Sequence, residues 1–354
     1  MDAEFADLDN DGIPELILAA EFGPNLVLER GPRTNLRHRV DALPQRRLSD
    51  SEAIAVADLN GDGRVEIVFA AEDDAAHELY LYDAGSNAYF DASERLEPAV
   101  GMRCNAIVAT DLDGDGDTDL IFGGDGPERA LINDGTARFR RRDGIIPARN
   151  DVTQDLELGD IDGDGDLDLI AGNEDGNRIY IREGDRFVDE TERRLPEPEA
   201  PEVTREADLG DIDGDGDLDL LLANTSFGSD DPDAAINRLL LNDGTGVFHA
   251  APPGSLPARN RQSTFDAEFV DIDADGDPDL VLANSGRGGP DEPPVQLWLN
   301  DGRGGFTDET DAAIPRIDRA VWATDVEARD LNGDGLIDLY ITNHRGPDVV
   351  LMQR

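Results

Sequence analysis

Residues 211–224 read DIDGDGDLDLLLAN, an acidic and glycine-containing stretch that passes directly into an apolar run. Its first nine residues fit the pattern D-x-[DN]-x-D-G-x-x-[DE], in which the positions are numbered 1 to 9 below. The pattern occurs seven times along the chain, with spacings of 51, 53, 49, 51, 60 and 59 residues. Such regular recurrence indicates one structural unit repeated over the whole sequence. The copies, called loops 1 to 7, begin at Asp7, Asp58, Asp111, Asp160, Asp211, Asp271 and Asp330.

Each repeat predicts four short strands. Apolar residues alternate before the loop, as at Leu156 and Leu158, and a continuous apolar run such as residues 220–222 follows it. A third run, such as residues 297–299, ends in Asn-Asp-Gly in three copies, which is a strong hairpin signal. A fourth, more polar segment contains a phenylalanine such as Phe248. Units of this length with four strands are typical of propeller blades, so we predict an all-β, seven-bladed β-propeller.

The repeats predict a single propeller domain over residues 1–354. Because one blade cannot bury both of its faces alone, the blades are expected to stack on one another. The chain ends on a third strand, so the last blade is expected to lack its fourth. Either that blade has three strands, or the chain is a fragment of a longer precursor, which we favour. The approximate blade limits are 1–50, 51–103, 104–152, 153–203, 204–263, 264–322 and 323–354.

The loops have the composition of a calcium site, because calcium takes six to eight oxygen ligands. Positions 1, 3, 5 and 9 offer side-chain oxygens, and position 7 offers a backbone carbonyl. Position 6 is always glycine, as a sharp turn requires. The predicted ligands, one calcium ion for each blade, are Asp7, Asp9, Asp11, Ile13 and Glu15; Asp58, Asn60, Asp62, Arg64 and Glu66; Asp111, Asp113, Asp115, Asp117 and Asp119; Asp160, Asp162, Asp164, Asp166 and Asp168; Asp211, Asp213, Asp215, Asp217 and Asp219; Asp271, Asp273, Asp275, Asp277 and Asp279; and Asp330, Asn332, Asp334, Leu336 and Asp338.

Two other interpretations of the loops are less favoured. A helix–loop–helix calcium site needs a glutamate at position 12, where this chain has apolar residues such as Leu222 and Phe69. Turns without metal would hold several carboxylates close together, and these would repel one another at neutral pH. Loops 2 and 7 carry Asn60 and Asn332 at position 3, so we expect them to bind calcium most weakly.

The composition limits the classes of partner. The 354 residues carry a net charge of −49, and all 31 basic residues are arginine. A charge this negative argues against nucleic acid and anionic membranes as partners. No apolar run approaches the roughly 20 residues of a membrane helix, and no signal peptide is visible at the first residues. Cys104 is the only cysteine, so no internal disulfide is possible.

These loops, together with later segments such as residues 299–306 (LNDGRGGF), resemble the FG-GAP/VCBS repeat family, which includes the propellers of integrin α-subunits. The resemblance covers essentially the whole chain. It implies calcium in the loop between the first and second strands of each blade, and ligands at the opposite end of the blades or between blades. It also implies an extracellular or cell-surface location.

Two features mark that opposite end as a candidate binding surface. The connections at residues 225–236 and 285–294 are long, and insertions on one side of a repeat protein often line a binding surface. Arginines recur before the first strands, and acids recur within them. A ring of such arginines and acids around the channel mouth could bind a sugar or an acidic peptide, but we expect these arginines and acids to pair with each other. The arginines are Arg46, Arg149, Arg259 and Arg316, and the acids are Asp2, Glu4, Asp155, Glu157, Asp266, Glu268, Asp325 and Glu327.

These features favour a non-catalytic binding or adhesion module that recognises a protein or a glycan. One alternative is a propeller lectin with sugar sites between blades, and another is an enzyme such as a polysaccharide lyase on a propeller scaffold. No catalytic constellation is visible, since the four histidines fall in different blades. We expect the chain to be monomeric or part of a longer multidomain protein.

Overall fold

The structure is a computed structural model that describes residues 2–21, 23–31, 36–44, 49–72, 76–226, 232–285, 293–317, 321–344 and 346–354. Most of the two long connections, residues 227–231 and 286–292, and the linker residue Arg46 lie outside these ranges. The chain forms two compact units, Met1–Thr153 and Gln154–Arg354, which are described separately. The single-domain organisation stays a prediction.

The first unit holds three four-stranded antiparallel sheets, each with its strands in sequence order. The sheets, blades 1 to 3, consist of β1 (Ala3–Ala6), β2 (Glu15–Leu18), β3 (Leu26–Arg30) and β4 (Leu36–His38); β5 (Ser51–Ala57), β6 (Glu66–Ala71), β7 (Glu78–Asp83) and β8 (Ala88–Asp91); and β9 (Cys104–Thr110), β10 (Asp119–Gly124), β11 (Arg129–Asn133) and β12 (Phe139–Arg141). A 3-10 turn (Ser93–Arg95) and α1 (Glu97–Val100) follow blade 2.

The second unit holds three four-stranded sheets and one three-stranded sheet in the same arrangement. These sheets, blades 4 to 7, consist of β13 (Thr153–Gly159), β14 (Asp168–Asn173), β15 (Arg178–Glu183) and β16 (Arg186–Asp189); β17 (Thr204–Gly210), β18 (Asp219–Asn224), β19 (Arg238–Asn242) and β20 (Phe248–Ala250); β21 (Thr264–Val270), β22 (Asp279–Asn284), β23 (Val295–Asn300) and β24 (Phe306–Asp308); and β25 (Ala323–Arg329), β26 (Asp338–Asn343) and β27 (Val349–Leu351). A 3-10 turn (Pro232–Ala235), α2 (Thr191–Arg194) and α3 (Thr310–Ala313) lie in the connections.

The sheets are the blades of an all-β, seven-bladed propeller whose last blade has three strands, which confirms the predicted fold. The second strands explain how neighbouring blades pack. All six residues of β18 are buried, because both faces of a middle strand are covered. In the second unit, Leu220 and Leu222 of β18 join Ile170 and Ile179 of blade 4 in one core cluster. Trp298 of β23 is completely buried in the next cluster, between blades 5 and 6.

Candidate metal-binding loops

Each acidic loop connects the first and second strands of its blade, as predicted. In blade 5, β17 ends at Gly210 and β18 begins at Asp219, so loop positions 1 to 8 lie between the strands and position 9 opens the second strand. The same placement recurs in every blade. Position 12 falls inside the second strand, as with Leu222. This placement excludes a helix–loop–helix site.

Hydrogen bonds within each loop fix the turn. In loop 4, Asp160 accepts the backbone N–H groups of Asp164 (3.1 Å) and Gly165 (3.0 Å), and Asp164 Oδ1 accepts the N–H of Asp166 (2.9 Å). Gly165 at position 6 has a φ of 95°, in the left-handed region where glycine is unstrained. The carboxylates at positions 1 and 5 therefore stay together on the turn.

The carboxylate at position 9 ties the loop to the sheet. In blade 5, Asp219 Oδ2 accepts the N–H of Ile212 at 3.0 Å, and Asp219 Oδ1 accepts the N–H of Asn242 at 2.8 Å. Burial raises the pKa of the position-9 carboxyl, to about 7 in Glu66 and to about 6 in Asp119 and in Asp219. A nearby cation would offset this cost of burying a charge.

The aspartate at position 3 supplies the observation that best fits a metal. One side-chain oxygen of this residue is buried and has no hydrogen-bond partner in loops 1, 3, 4 and 5, which are four of the described loops. A buried carboxylate oxygen is costly unless a donor or cation meets it. These oxygens are Oδ1 of Asp9, Asp113, Asp162 and Asp213.

The structure brings the acids of several loops within metal-binding distance of one another. In these groups, one ligand atom from each acid lies within 4.8 Å of the others. Oxygen donors of this kind suit calcium, so the residues present fit the metal that the motif implies. The groups are Asp7, Asp9 and Glu15; Asp111, Asp113 and Asp115; Asp160, Asp162 and Asp168; and Asp211, Asp213 and Asp215. Another group, Glu21, Asp50 and Glu52, lies outside the loops and was missed by the sequence pattern.

Arginines that the sequence analysis missed contact position 3 in three loops. Arg194 of α2 is 5% exposed, and its Nη2 lies 3.0 Å from Asp162 Oδ2. Its Nε also donates to Glu190 at 2.6 Å, and this hydrogen bond lowers the pKa of Glu190. Arg39 pairs with Asp9 at 3.0 Å and Arg142 with Asp113 at 3.7 Å. Each arginine comes about 30 residues after its loop, a separation at which the repeat pattern gives no signal.

The asparagines at position 3 behave differently. Asn60 Nδ2 donates to Glu66 Oε1 at 2.8 Å, and Asn332 Nδ2 donates to Asp338 Oδ2 at 3.0 Å. In loops 2 and 7, therefore, the side chain at position 3 is held by the carboxylate at position 9. This arrangement agrees with the expectation that these loops bind calcium most weakly, which stays a prediction.

The acids of the first strands serve a different purpose from the one expected. Asp155 Oδ2 accepts the N–H of Ala207 in the next blade at 3.1 Å, and Asp266 Oδ2 accepts the N–H of Val326 at 2.7 Å. Arg259 instead pairs with acids beyond the first strands, Asp308 at 3.3 Å and Asp311 at 3.1 Å. Arg259 therefore pairs with other acids than the expected ones, and Asp155 and Asp266 accept backbone N–H groups of the next blade.

Aromatic side chains meet in the second unit at the end opposite the loops. The Arg205 guanidinium lies 5.2 Å from the centroid of the Phe265 ring, and the Phe265 and Trp322 centroids are 6.0 Å apart. The Trp322 and His344 rings are 4.7 Å apart. All four side chains are partly exposed. This set, called the aromatic row, joins blades 5, 6 and 7.

Comparison with known proteins agrees with this repeat architecture. A model described as an FG-GAP-like repeat matches residues 7–69, 58–122, 111–171, 160–222, 211–282 and 271–341. The chain belongs to the FG-GAP-like repeat family. Each match begins at position 1 of one loop and ends at position 12 of the next. The family's repeat is therefore the loop together with the strands that flank it.

Single proteins match this chain either over a short segment or at low sequence identity. A segment of 84 residues, 22% of this chain, is 36% identical to cartilage acidic protein 1 from Xenopus tropicalis and spans 13% of that protein. Among solved structures, an Agrocybe aegerita lectin that recognises non-reducing terminal N-acetylglucosamine has a TM-score of 0.57 at 18% identity, over 99% of this chain and 94% of the lectin. BBS1N, solved in complex with ARL6DN, has a TM-score of 0.59 at 12% identity, over 99% and 92% of the two chains. At these identities the structures support the shared fold alone.

No helix among the described residues is long and apolar enough to cross a membrane.

Proposed function

We propose that this FG-GAP-like chain is a calcium-stabilised binding module in which each loop holds one calcium ion. The observation that carries the proposal is the buried Oδ1 without a hydrogen-bond partner at position 3, repeated in Asp9, Asp113, Asp162 and Asp213. The ligands would be the oxygens of positions 1, 3, 5 and 9 and the carbonyl of position 7. Calcium there would neutralise clustered carboxylates and hold the first and second strands of each blade together.

Direct counting of bound metal tests this proposal. Protein stripped with chelator and then dialysed against calcium is expected to bind several equivalents, and Asp215→Asn is expected to bind one fewer. Asp233→Asn, which changes an acid of the 3-10 turn between β18 and β19, is the matched control and is expected to keep the full count. A stripped protein that takes up no calcium would overturn the proposal.

For recognition, we propose a protein or glycan ligand at the end of the blades opposite the loops. The aromatic row favours a glycan as the first class to test, because partly exposed rings and a guanidinium suit the mixed apolar and polar surface of a sugar. The fold shared with a sugar-binding lectin supports the same order of testing. A protein ligand remains the second class, as for the BBS1N propeller.

Glycan-array binding by the calcium-loaded protein tests the recognition proposal. Trp322→Ala is expected to abolish binding, whereas Phe90→Ala, which removes an exposed ring from β8, is expected to leave it unchanged. Equal loss in both variants, or binding that survives Trp322→Ala, would contradict a site at the aromatic row. Turnover of a uronic-acid polysaccharide would instead favour the lyase alternative over a non-catalytic module.

An extracellular or cell-surface location forms part of the proposal. It is supported by the similarity to a cartilage acidic protein and by the many carboxylates, since calcium sites of extracellular modules work at high calcium concentrations. Fractionation of cells that express the complete reading frame tests it, and retention of the product in the cytoplasm would contradict it.

A further inference from the structure

A side-chain amide at the end of the third strand joins neighbouring loops. Asn242 of blade 5 donates three hydrogen bonds to the loops at once. Its Nδ2 donates to the carbonyl of Ile161, position 2 of loop 4, at 2.7 Å, and to the carbonyl of Leu218, position 8 of its own loop, at 3.1 Å. Its backbone N–H donates to Asp219, position 9 of its own loop, at 2.8 Å. Asn242 therefore connects loop 4 with loop 5.

The same arrangement recurs in the second unit. Asn300 Nδ2 reaches the carbonyl of Ile212 at 2.8 Å, and Gln353 Nε2 reaches the carbonyl of Ile272 at 3.1 Å. Their backbone N–H groups donate to position 9 of their own loops, namely Asp279 at 2.9 Å and Asp338 at 2.9 Å. Gln353 occupies this place in blade 7, which has no Asn-Asp-Gly turn.

The residue at position 2 makes the connection continuous through its N–H and its carbonyl. The N–H of Ile212 donates to Asp219, while the carbonyl of Ile212 accepts from Asn300. The N–H of Ile272 likewise donates to Asp279 at 3.1 Å, and its carbonyl accepts from Gln353. In loop 4 the N–H of Ile161 donates to Asp168 at 3.2 Å. The carboxylates at position 9 of loops 4 to 7 are thus joined by alternating hydrogen bonds and position-2 residues, a connection called the relay.

In the first unit the position-2 carbonyl also accepts a hydrogen bond from the next blade, in one case from an asparagine and in the other from an arginine. Asn133 Nδ2 donates to the carbonyl of Leu59, position 2 of loop 2, at 2.7 Å. The carbonyl of Leu8, position 2 of loop 1, accepts instead from Arg64 Nη1 at 3.2 Å. The guanidinium of Arg64 lies 4.4 Å from the ring centroid of Tyr82, which occupies the place of the asparagine. The position-2 carbonyl therefore keeps a donor from the next blade even where the sequence changes.

We propose that the relay couples the calcium sites, so that calcium in one loop raises the calcium affinity of the next. The inference rests on the proposed function, because it requires the loops to bind calcium. A metal that draws in the position-9 carboxylate moves the acceptor of the position-2 N–H. The N–H and the carbonyl of the position-2 residue lie on either side of one Cα and are both held by hydrogen bonds, so a shift of the residue also displaces the acceptor of the amide on the next blade. The neighbouring loop is then already ordered and binds at lower entropic cost.

The chain offers a matched control at the other end of the same blades. Asn177 Nδ2 donates to Thr204 Oγ1 at 2.8 Å, and Asn237 Nδ2 donates to Thr264 Oγ1 at 3.0 Å. These buried amides join blades 4 and 5 and blades 5 and 6, the same pairs that Asn242 and Asn300 join. They lie away from the loops, so their loss costs comparable inter-blade contacts without touching the relay.

Calcium isotherms of the stripped, full-length protein test the coupling. The relay variant carries Asn242→Ala together with Asn300→Ala. The measured quantity is the calcium concentration range, expressed as the ratio of the calcium concentrations at nine-tenths and one-tenth saturation. This ratio is expected to increase at least about fivefold in the relay variant, while the number of bound ions stays the same. The control variant, Asn177→Ala with Asn237→Ala, is expected to keep the wild-type range. Asn300→Gln, which retains an amide as Gln353 does, is expected to restore part of the steepness relative to Asn300→Ala.

The outcomes separate the two proposals. If wild-type protein binds no calcium, the proposed function fails and the coupling fails with it. If calcium binds in full number but the relay variant keeps the wild-type range, or the control variant widens equally, the coupling alone is wrong. The melting temperature of the stripped variants supplies a second readout, since a merely structural loss would lower it equally in both variants and leave the two isotherms alike. If the relay variant does not fold, the single variant Asn300→Ala is compared with Asn237→Ala by the same criteria.

Discussion

Loops 4 and 5 have the identical sequence DIDGDGDLD, at residues 160–168 and 211–219, yet their charges are balanced differently. In loop 4, Asp162 is held by the buried guanidinium of Arg194 at 3.0 Å. In loop 5, the described part of the chain provides no ion pair to Asp213, and burial raises the pKa of this carboxyl. Among the described residues, loop 4 therefore has a permanent counter-ion at position 3 and loop 5 has none.

The difference shows that the nine-residue motif specifies the turn and its oxygens, whereas residues outside it set the charge that a metal encounters. Arg194 reaches loop 4 from α2, after the fourth strand of the blade. Loop 4 is therefore expected to be more stable without calcium, and loop 5 to bind calcium more tightly.

Removing the position-3 charge is expected to give the largest difference in calcium affinity between loops 4 and 5. Asp213→Asn should weaken calcium binding at loop 5 at least about tenfold, because a carboxylate without a fixed counter-ion is lost. Asp162→Asn should weaken loop 4 only about threefold, because its charge is already shared with Arg194. Calcium titration of the two stripped variants measures both effects, and equal losses would contradict the contrast.

Removing the counter-ion is expected to make loop 4 resemble loop 5. Arg194→Gln should raise the calcium affinity of loop 4 about fivefold and lower the stability of the stripped protein by about 1–3 kcal/mol. Arg193→Gln changes an exposed arginine of the same helix and serves as the control. Unfolding in denaturant with chelator measures the stability, and a weaker calcium affinity in Arg194→Gln would show that the arginine supports the metal instead.

A pH series extends the comparison to carboxyls outside the loops. Burial raises the pKa of Asp155 to about 7, of Glu157 to about 9 and of Asp208 to about 7. In the unfolded chain these carboxyls have pKa values of about 4 and lose their protons above that pH, whereas the native state keeps the protons up to the raised pKa values. The free energy of unfolding should therefore fall as the pH rises from about 5 to 9. Melting temperatures in chelator measure this slope. Glu157→Gln should flatten it, and Glu192→Gln, at an exposed position, should not.

The smallest expected effect concerns the backbone at position 4. Ala274 of loop 6 has a φ of 61°, in the left-handed region, where loop 5 has Gly214 with a φ of 76°. Ala274→Gly should therefore raise the stability of the stripped protein by about 1 kcal/mol, and Gly214→Ala should lower it by a similar amount. Denaturant midpoints measure both changes, and a loss on Ala274→Gly would contradict this account.

The sequence predicted the strands and loops well, because the chemistry that specifies them is local. Aspartates around a glycine with positive φ, followed by an apolar run, define a turn and a buried strand wherever they occur. The same pattern predicted which acids come together, such as Asp211, Asp213 and Asp215. The three-stranded last blade also followed from the sequence, since residues 349–351 form the final strand.

The contacts between elements could not be predicted in the same way. Arg39 and Arg194 lie 30 and 32 residues after position 3 of their loops and come from a connection and a short helix, so the nine-residue motif does not include them. Asn242 and Asn300 were recognised only as the start of a hairpin turn. Their shared place at the end of a third strand was a signal for the relay, but its partner lies in another blade.

The central claim is that the loops are calcium sites, and the melting temperature of the protein with calcium and with chelator tests it most directly. Ions bound only to the folded state stabilise it, so the account predicts a melting temperature at least about 10 °C higher in excess calcium than in chelator, with several equivalents of calcium found by elemental analysis. An identical melting temperature in both conditions, with no metal bound, would contradict it.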